Sequence, residues 1–580
     1  MPTTSYSGWL TSNLGHHHVQ NLWCLLLIAL VLILSGVGLR DPWPADEPRF
    51  AQIAMEMVQS GQWFFPYRGG ELYPDKPPIF MWAIAVFYWL SGSIKLAFLL
   101  PSALSGIATV YLVYSLGRKL WSAQIGFYAA LLLLFSLQFT LQAKTAQIDA
   151  MVCLWITLGC YGLLRFLLID GLWRWYYFAW FFMGIGVITK GVGFLPLLML
   201  LPYALLRITK WQNAKTSYPH ITGSWRWLLG PLVMLVAIGL WFVPMLLLVE
   251  HSNNPLYEVY RDNILFKQTV KRYADSWHHI KPAWYYLVSV IPLFWLPISL
   301  LLPWLAVRWQ RACQELDYRI MLPLVWIVLV LVFFSASPGK RGVYVLPALP
   351  MLALISAPYL RDILSKVWPP RLLWSLVLLL SMVLLVAGIA GWFELAALQK
   401  LAIKYQLEPW AFFTTVGVGG LVCAAIFNHR SQRNWLSWPS FISLLWLLYS
   451  TWGYSLLGAV KTPKGIFSQM SQFVPADAEL ALVKFSEQFI LFSPYAVTHF
   501  GYHTDEQQQL RAAWQWQSNH PQRYVLLDKL LISQCYDAAK GVDLGYVHGE
   551  DWVLLGPDSR LAECQYPEQP LIEYHYQPAR

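Results

Sequence analysis

Charge is what this sequence has least of. Asp, Glu, Lys and Arg make up 12% of its 580 residues, while 57% are hydrophobic and 16% aromatic, and the mean hydropathy is +0.46. So little charge cannot cover the surface of a soluble protein of this length, which leaves a polytopic membrane protein. Cysteine is scarce as well. Of the seven, Cys24, Cys153, Cys160 and Cys423 fall in apolar segments as small core residues, and Cys313 falls in a loop. Only Cys535 and Cys564 share a polar region, where a disulfide is expected if that region is extracytoplasmic. Also missing are a phosphate-binding loop, a dinucleotide fingerprint and a nucleophile elbow, together with any low-complexity tract or convincing internal repeat. The net charge of +10 does not point to nucleic acid, because Lys and Arg are scattered through short loops and form no basic face. They read as topology signals and as contacts for anionic lipid. The N-terminus lacks the succession of charged segment, apolar stretch and cleavage site of a signal peptide, so the apolar run 22–39 is expected to be a retained helix.

What is present is a succession of apolar segments: 22–39, 77–90, 96–116, 125–141, 150–168, 175–189, 194–206, 228–249, 284–305, 320–335, 343–360, 372–390, 410–427 and 438–457. The second is about 14 residues long, below the ~17 to 25 that a crossing helix needs. It opens on two prolines and closes on Ser91-Gly92-Ser93, which predicts a helix lying in the interface and leaves thirteen spans. With the N-terminus inside, thirteen spans put the basic loops 118–119, 207–226, 308–319, 361–371 and 428–434 on the cytoplasmic face, as the positive-inside rule requires. The same parity gathers Asp46, Lys76, Asp149, the loop 250–283 and Lys340-Arg341 on the outer face. After residue 457 the composition turns polar. Alternating runs at 480–483 and 524–527, with a helical stretch around 506–517, predict a small α/β domain.

In a chain so short of charge, Asp46-Glu47-Pro48-Arg49 at a membrane boundary is costly unless it has a task. Phe50, Ile53, Ala54, Met57 and Val58 follow at helical spacing, with Arg49, Gln52, Glu56 and Gln59 opposite, so 47–60 is expected to be a surface-lying helix. Asp46 is either its N-cap or an acid able to orient an incoming group or take its proton, and the two roles are compatible. Lys76, before Pro77 and beside Asp75, is fixed on an extended backbone at the membrane edge, where a cation suits a lipid phosphate. Asp149, five residues after Lys144, stands at the start of a span, where an ordinary helix-start acid reads as well as a functional one. The loop 261–286 combines Lys267, Lys271, Arg272, His278, His279 and Lys281 with Trp284-Tyr285-Tyr286, a mixture suited to a sugar phosphate. No metal-ligand spacing accompanies the two histidines. The sequence names no cofactor and leaves a divalent cation open. Soluble nucleotide donors are not expected outside the cytoplasm, so an outward-facing transferase needs a donor delivered on a lipid.

These segments resemble a known family. Ala45-Asp46-Glu47-Pro48-Arg49, Ser60-Gly61-Gln62-Trp63 and Tyr73-Pro74-Asp75-Lys76-Pro77-Pro78 are similar to the first outer loop of bacterial aminoarabinose transferases of lipid A, ArnT-type GT-C glycosyltransferases distantly related to protein O-mannosyltransferases. Pro101-Ser102-Ala103-Leu104, Ala146-Gln147-Ile148-Asp149, Thr189-Lys190-Gly191, His279-Ile280-Lys281-Pro282 and Lys340 with Tyr344 continue the likeness in order. The resemblance implies an α-helical polytopic membrane protein of GT-C type, about 13 transmembrane helices and a C-terminal extracytoplasmic α/β domain. Residues 1–460 would form the transmembrane glycosyltransferase domain, with periplasmic loops 40–95 and 250–283, and 461–580 the soluble periplasmic domain. It implies an undecaprenyl-phosphate-linked sugar donor, Asp46 as the leading catalytic acid with Glu47 and Asp149 near it, and Lys76 and Arg272 gripping the donor phosphate. Arg261 or Lys271 are alternatives to Arg272. Tyr344 would be a further phosphate contact, and Arg49, Asp75, His279 and Lys340 would complete the donor site. Leu100 replaces an arginine, and Asp75 a glutamate, that are common in the family. The expected activity is transfer of 4-amino-4-deoxy-L-arabinose or a similar sugar to lipid A at the periplasmic face of the bacterial inner membrane. Transfer to another glycan or to protein, and a lipid flippase with repeated halves and broken midplane helices, are the alternatives.

Overall fold

The apolar segments fold as helices because a bilayer leaves backbone amides no partner other than one another. The protein is described by a computed structural model covering residues 18–209, 219, 221, 225–266, 280–428, 433–518, 520–532 and 535–578. Among these, Ile94–Leu120, Ile148–Asp170, Trp225–Ser252, Tyr318–Ala336, Trp368–Trp392 and Asn434–Lys461 are each long and apolar enough to cross a membrane. Three further helix pairs are together apolar enough to span but are sharply bent: Ala123–Leu134 with Leu137–Ala143, Tyr286–Phe294 with Ile298–Gln314, and Ala396–Tyr405 with Trp410–Ile426, by 72°, 108° and 119°. Leu22–Leu34, Ile79–Ser91 and Leu195–Ile208 are shorter apolar helices, and Trp173–Lys190 and Ala348–Leu364 occupy the remaining expected segments. Small residues let these helices meet closely. A Cβ on Gly117 would stand 2.7 Å from the Cα of Gly126, so the helices on either side of the turn at 121–122 pack backbone to backbone there.

Contacts between loops sort the helix ends into two groups. Asp41, after the first helix, pairs with Lys95 at 3.4 Å and with Lys464 at 2.7 Å, and Asp46 pairs with Arg341. At the other end Arg308 pairs with Asp362, and Arg319 donates to the Leu120 carbonyl at 3.3 Å. These are the two loop sets that parity separates. The Lys95–Asp41 contact also bears on the short segment: it brings the residues just past Ile79–Ser91 to the end of the bundle that carries Asp41, the arrangement a non-crossing helix requires.

The helix Glu47–Ser60 departs from expectation. It is not laid on a surface but enclosed on both faces, with Phe50, Ile53, Ala54 and Met57 at most 4% exposed and Gln52 buried as well. Its apolar stripe packs on the Ile79–Ser91 helix, Phe50 meeting Phe80 edge-on at 5.2 Å, and its polar side is covered by the C-terminal domain. Each such apolar side chain contributes roughly 1.5–3 kcal/mol on burial. Between the two helices lies a hairpin, β1 (Tyr67–Arg68) and β2 (Glu71–Leu72). The tight turn needs positive φ at both central residues, and Gly69 and Gly70 supply it at 64° and 82°.

The C-terminal domain is a six-stranded mixed sheet. Its strands are β3 (Glu479–Leu482), β4 (Ala496–His499), β5 (Arg523–Asp528), β6 (Val542–Val547), β7 (Glu550–Leu555) and β8 (Tyr574–Tyr576). The order is β6-β7-β5-β3-β4-β8, with β3 parallel to both β4 and β5 and the other pairings antiparallel. Period-two alternation feeds two cores: Leu480, Leu482, Leu526 and Leu554 face one layer, and Ala481, Val483, Val525 and Leu527 the other. The helix Glu506–Gln517 is capped by Asp505, whose carboxylate accepts from the amides of Gln507 and Gln508. Cys535 and Cys564 are disulfide-bonded. If the Ile79–Ser91 helix does not cross, single cysteines at Ser91 and Asp477 will react with an impermeant maleimide from one face of sealed vesicles and one at Lys119 from the opposite face. Ser91 labelling with Lys119 would contradict it.

Candidate active site

The site starts from a buried ion pair. Arg40 lies in the turn that follows the first helix, His18–Leu34, and its guanidinium grips both oxygens of Glu47, one of them at 2.7 Å. Glu47 also accepts from the Trp43 amide at 2.8 Å and the Ala146 amide at 2.9 Å, while Arg40 donates to the Lys144 carbonyl at 3.2 Å. Trp43, Phe98 and Tyr454 surround the cation within 5.1 Å of their ring centroids. Charge-assisted bonds of this fork geometry fix orientation as well as energy. Glu47 therefore locks the segment 40–47 to the turn at 144–146. Lys144 adds to the lock, donating to the carbonyls of Leu32, Ile33 and Ser35 that the first helix leaves unpaired at its end.

The neighbouring Asp46 is held differently. It occupies the N-cap position of Glu47–Ser60, yet its side chain makes no cap hydrogen bond. Its Oδ2 accepts from Arg341 Nη2 at 3.0 Å, and its Oδ1 faces Arg49 Nη1 at 3.7 Å, an ion pair beyond hydrogen-bond length. Burial opposes the charge of Arg341, but Asp46, with a further contribution from Asp149, outweighs it and raises the guanidinium above its ordinary pKa. Asp149, on the first turn of Ile148–Leu164, pairs with Lys190, whose ammonium lies 4.8 Å from the centre of the Tyr344 ring. Asp46, Arg341, Asp149 and Lys190, with the Tyr344 ring, thus form one chain of charges drawn from four segments. Beside Asp46 a cavity of about 110 Å³ is lined by Arg40, Trp43, Glu47, Lys144, Gln147 and Tyr454 among others.

Other expected site residues are dispersed. Lys340 is buried and donates to the Lys281 and Ser337 carbonyls, so it ties the segment at Lys281 to the turn at 337–340 instead of facing Asp46. Its neighbour Arg341 faces Asp46, since adjacent side chains on extended backbone point opposite ways and Arg341 has φ −117° and ψ 143°. Arg49 is shared between Asp46 and Glu487 of the C-terminal domain. Asp75 and Lys76 sit in the turn between the hairpin and Ile79–Ser91, with the Lys76 carbonyl accepting from Tyr260 at 3.3 Å. Arg272, His279 and the alternative Lys271 lie outside the described residues. Arg261 is at the surface beside Asp262. Among the described residues no three His, Cys, Asp or Glu side chains converge as a metal site would need. Sequence reasoning missed the pairing roles of Arg40, Arg341 and Lys190 and the whole contribution of Glu487. The first three stand beside residues it singled out, whereas Glu487 carries no local signal.

The arrangement is that of a polytopic membrane glycosyltransferase of the GT-C fold, and comparison with known proteins agrees. Residues 75–243 match the dolichyl-phosphate-mannose-protein mannosyltransferase family. The crystal structure of ArnT from Cupriavidus metallidurans bound to undecaprenyl phosphate superposes with a TM-score of 0.68 over 92% of this chain and 97% of that one, at 20% identity. The chain is 34% identical to undecaprenyl phosphate-alpha-4-amino-4-deoxy-L-arabinose arabinosyl transferase 1 of Pseudomonas fluorescens Pf-5, over 66% of this chain and 67% of the relative. To the transferase of Pseudomonas aeruginosa UCBPP-PA14 it is 31% identical, over 70% and 71%. The chain belongs to the family of undecaprenyl phosphate-aminoarabinose arabinosyl transferases.

Two outcomes follow from this geometry. Glu47→Gln strips the charge from a buried pair and will lower stability by about 3 kcal/mol or more, read as a fall in melting temperature. An unchanged melting temperature would remove Glu47 from the lock. His499, fully buried, donates from Nε2 to the Gly69 carbonyl at 2.7 Å and accepts at Nδ1 from the Gly501 amide. Burial first, then Arg68 and His575, pulls it down to about 4 from 6.5 against the Gly69 carbonyl. The unfolded state then binds the extra proton, so this contribution is complete above about pH 6.5 and lost as pH falls toward 4. Glu56, raised chiefly by its burial, works in the opposite sense. His499→Gln will therefore flatten the acid-side fall in melting temperature relative to the wild type, and an unchanged slope would contradict the assignment.

Proposed function

We propose that this protein transfers 4-amino-4-deoxy-L-arabinose from undecaprenyl phosphate to lipid A at the periplasmic face of the inner membrane. Family membership supports the donor and the sugar. The disulfide of the C-terminal domain supports an oxidising compartment for the face that carries Asp46. The observation that carries the reading is Asp46 itself, an acid at a helix start that is not used as a cap and is turned beside a cavity by Arg341.

In this reading an acceptor phosphate oxygen attacks the anomeric carbon, a new carbon–oxygen bond forms, and the bond to the undecaprenyl phosphate oxygen breaks. The electron pair leaves with that phosphate. Lys76, with Arg272 or Lys271 of the third outer loop and the Tyr344 hydroxyl, stabilises the charge as it develops. A phosphate oxygen is nucleophilic without a base, so Asp46 mainly orients the acceptor and the sugar. Asp149 holds Lys190 against Tyr344, and Asp75 belongs to the donor side beside Lys76. Glu47 and Lys340 act as positioning residues, their polar atoms being engaged inside the protein. Asp46→Asn, assayed in membranes supplied with donor lipid and read by mass spectrometry of lipid A, will lose about 10²-fold of its transfer rate, the cost of a misplaced reacting group, at normal protein level. Full transfer by this variant would overturn the reading.

A further inference from the structure

Arg49 has two carboxylates within reach and hydrogen-bonds the more distant one in sequence. Its Nε donates to Glu487 Oε1 at 2.7 Å, while its Nη1 stays 3.7 Å from Asp46 Oδ1. Glu487 is buried and opens the short helix Glu487–Phe492 of the C-terminal domain. The same oxygen also accepts from Arg68 Nη1 at 3.1 Å. The two arginines are not equally constrained. Arg68 is enclosed by the rings of Tyr73, Phe485 and Tyr502, at 5.1, 4.8 and 4.1 Å from its guanidinium carbon to the ring centroids, and it would stay in place without Glu487. Arg49 has a side chain 22% exposed and stands three residues after Asp46 on the first helical turn, so it is within reach of closing on Asp46. The two carboxylates within that helix are engaged elsewhere: Glu47 by Arg40 and the Trp43 and Ala146 amides, and Glu56 by Gln52 and the amides of Gly69 and Gly70.

We infer that Glu487 is a positioning residue of the active site, drawing Arg49 away from Asp46 so that Asp46 Oδ1 stays available to substrate while Arg341 holds Oδ2. The inference rests on the role proposed for Asp46. It makes the C-terminal domain a working part of the site, since without Glu487 the Arg49 fork turns onto Oδ1 and occupies it. A purely adhesive role, docking the domain on the first outer loop, would give Glu487 the same standing as Glu71, which accepts from the Tyr502 amide at 2.8 Å across the same interface.

The test uses the full-length protein in lipid nanodiscs with undecaprenyl-linked donor and lipid A. Glu487→Gln is expected to lower kcat about tenfold, a factor that corresponds to one misplaced contact of about 1.4 kcal/mol, with KM for the donor within about twofold. Glu71→Ala is expected to keep kcat within about twofold. Because Glu487 acts through Arg49, the double variant Glu487→Gln with Arg49→Gln will be no slower than Arg49→Gln alone. Wild-type kcat in Glu487→Gln, an equal loss in Glu71→Ala, or independent losses that multiply in the double variant would each overturn the inference. Should Glu487→Gln fail to fold, the cycle is run with Glu487→Asp, which keeps the charge and withdraws the oxygen; a loss that vanishes in the Arg49→Gln background supports the inference, and a multiplying one contradicts it. If Asp46→Asn is inactive and Glu487→Gln is unimpaired, only this inference fails, whereas a fully active Asp46→Asn removes the site reading beneath it.

Discussion

The Arg40–Glu47 pair is the constraint on which the rest of the site depends. It joins the turn after the first helix to the start of the helix Glu47–Ser60, and through the Ala146 amide and the Lys144 carbonyl it joins both to the turn that precedes Asp149. Buried charge is tolerated only when paired and hydrogen-bonded, and here every oxygen of Glu47 has a partner. Two segments far apart in sequence are thereby held in one place before any substrate arrives. Asp46, the neighbouring residue, inherits that rigidity and is left facing Arg341 from a third segment.

The C-terminal domain applies a second constraint from above. Open sheets with parallel central strands bind ligands in the crevice outside the carboxyl ends of those strands. Here β3, β4 and β5 end at Leu482, His499 and Asp528, and the first two of these ends receive the β1–β2 hairpin: His499 holds the Gly69 carbonyl, and Glu487, shortly after β3, holds Arg68. A Cβ on Gly69 would come within 3.0 Å of His499 Nε2, so the glycine serves both the turn and the close fit. The domain thus uses its crevice to grip part of its own chain, the loop that carries Asp46 and Lys76.

Much of this was legible in the sequence. Apolar runs against a 12% charged background located the helices, the Pro-flanked segment 77–90 was recognisable as a helix shorter than the others, and β3, β5 and the helix after Asp505 followed from alternation and periodicity. Asp46 and Arg49 stood out because charge at a membrane edge is costly, and Asp149 and Tyr344 through the family resemblance. What could not be read was pairing. Nothing local distinguishes Lys340, spent on carbonyls, from Arg341, which reaches Asp46; the difference is the alternation of an extended backbone whose start is set by tertiary contacts. Nor does amphipathicity reveal what covers a helix. The stripe of Glu47–Ser60 suggested a membrane surface, whereas its polar side is buried by a domain that begins more than four hundred residues later, through an Arg49–Glu487 contact with no footprint in either segment.

The central claim is that a sugar phosphate is processed between Asp46 on one side and Lys76 with the third outer loop on the other. A structure of the full-length protein in a nanodisc with a non-hydrolysable undecaprenyl phosphonate sugar tests it most directly. The account predicts the phosphonate against Lys76 and a cation of residues 267–281, with the anomeric carbon within reach of the Asp46 carboxylate. A phosphonate seated away from Lys76, or a sugar turned from Asp46, would contradict it.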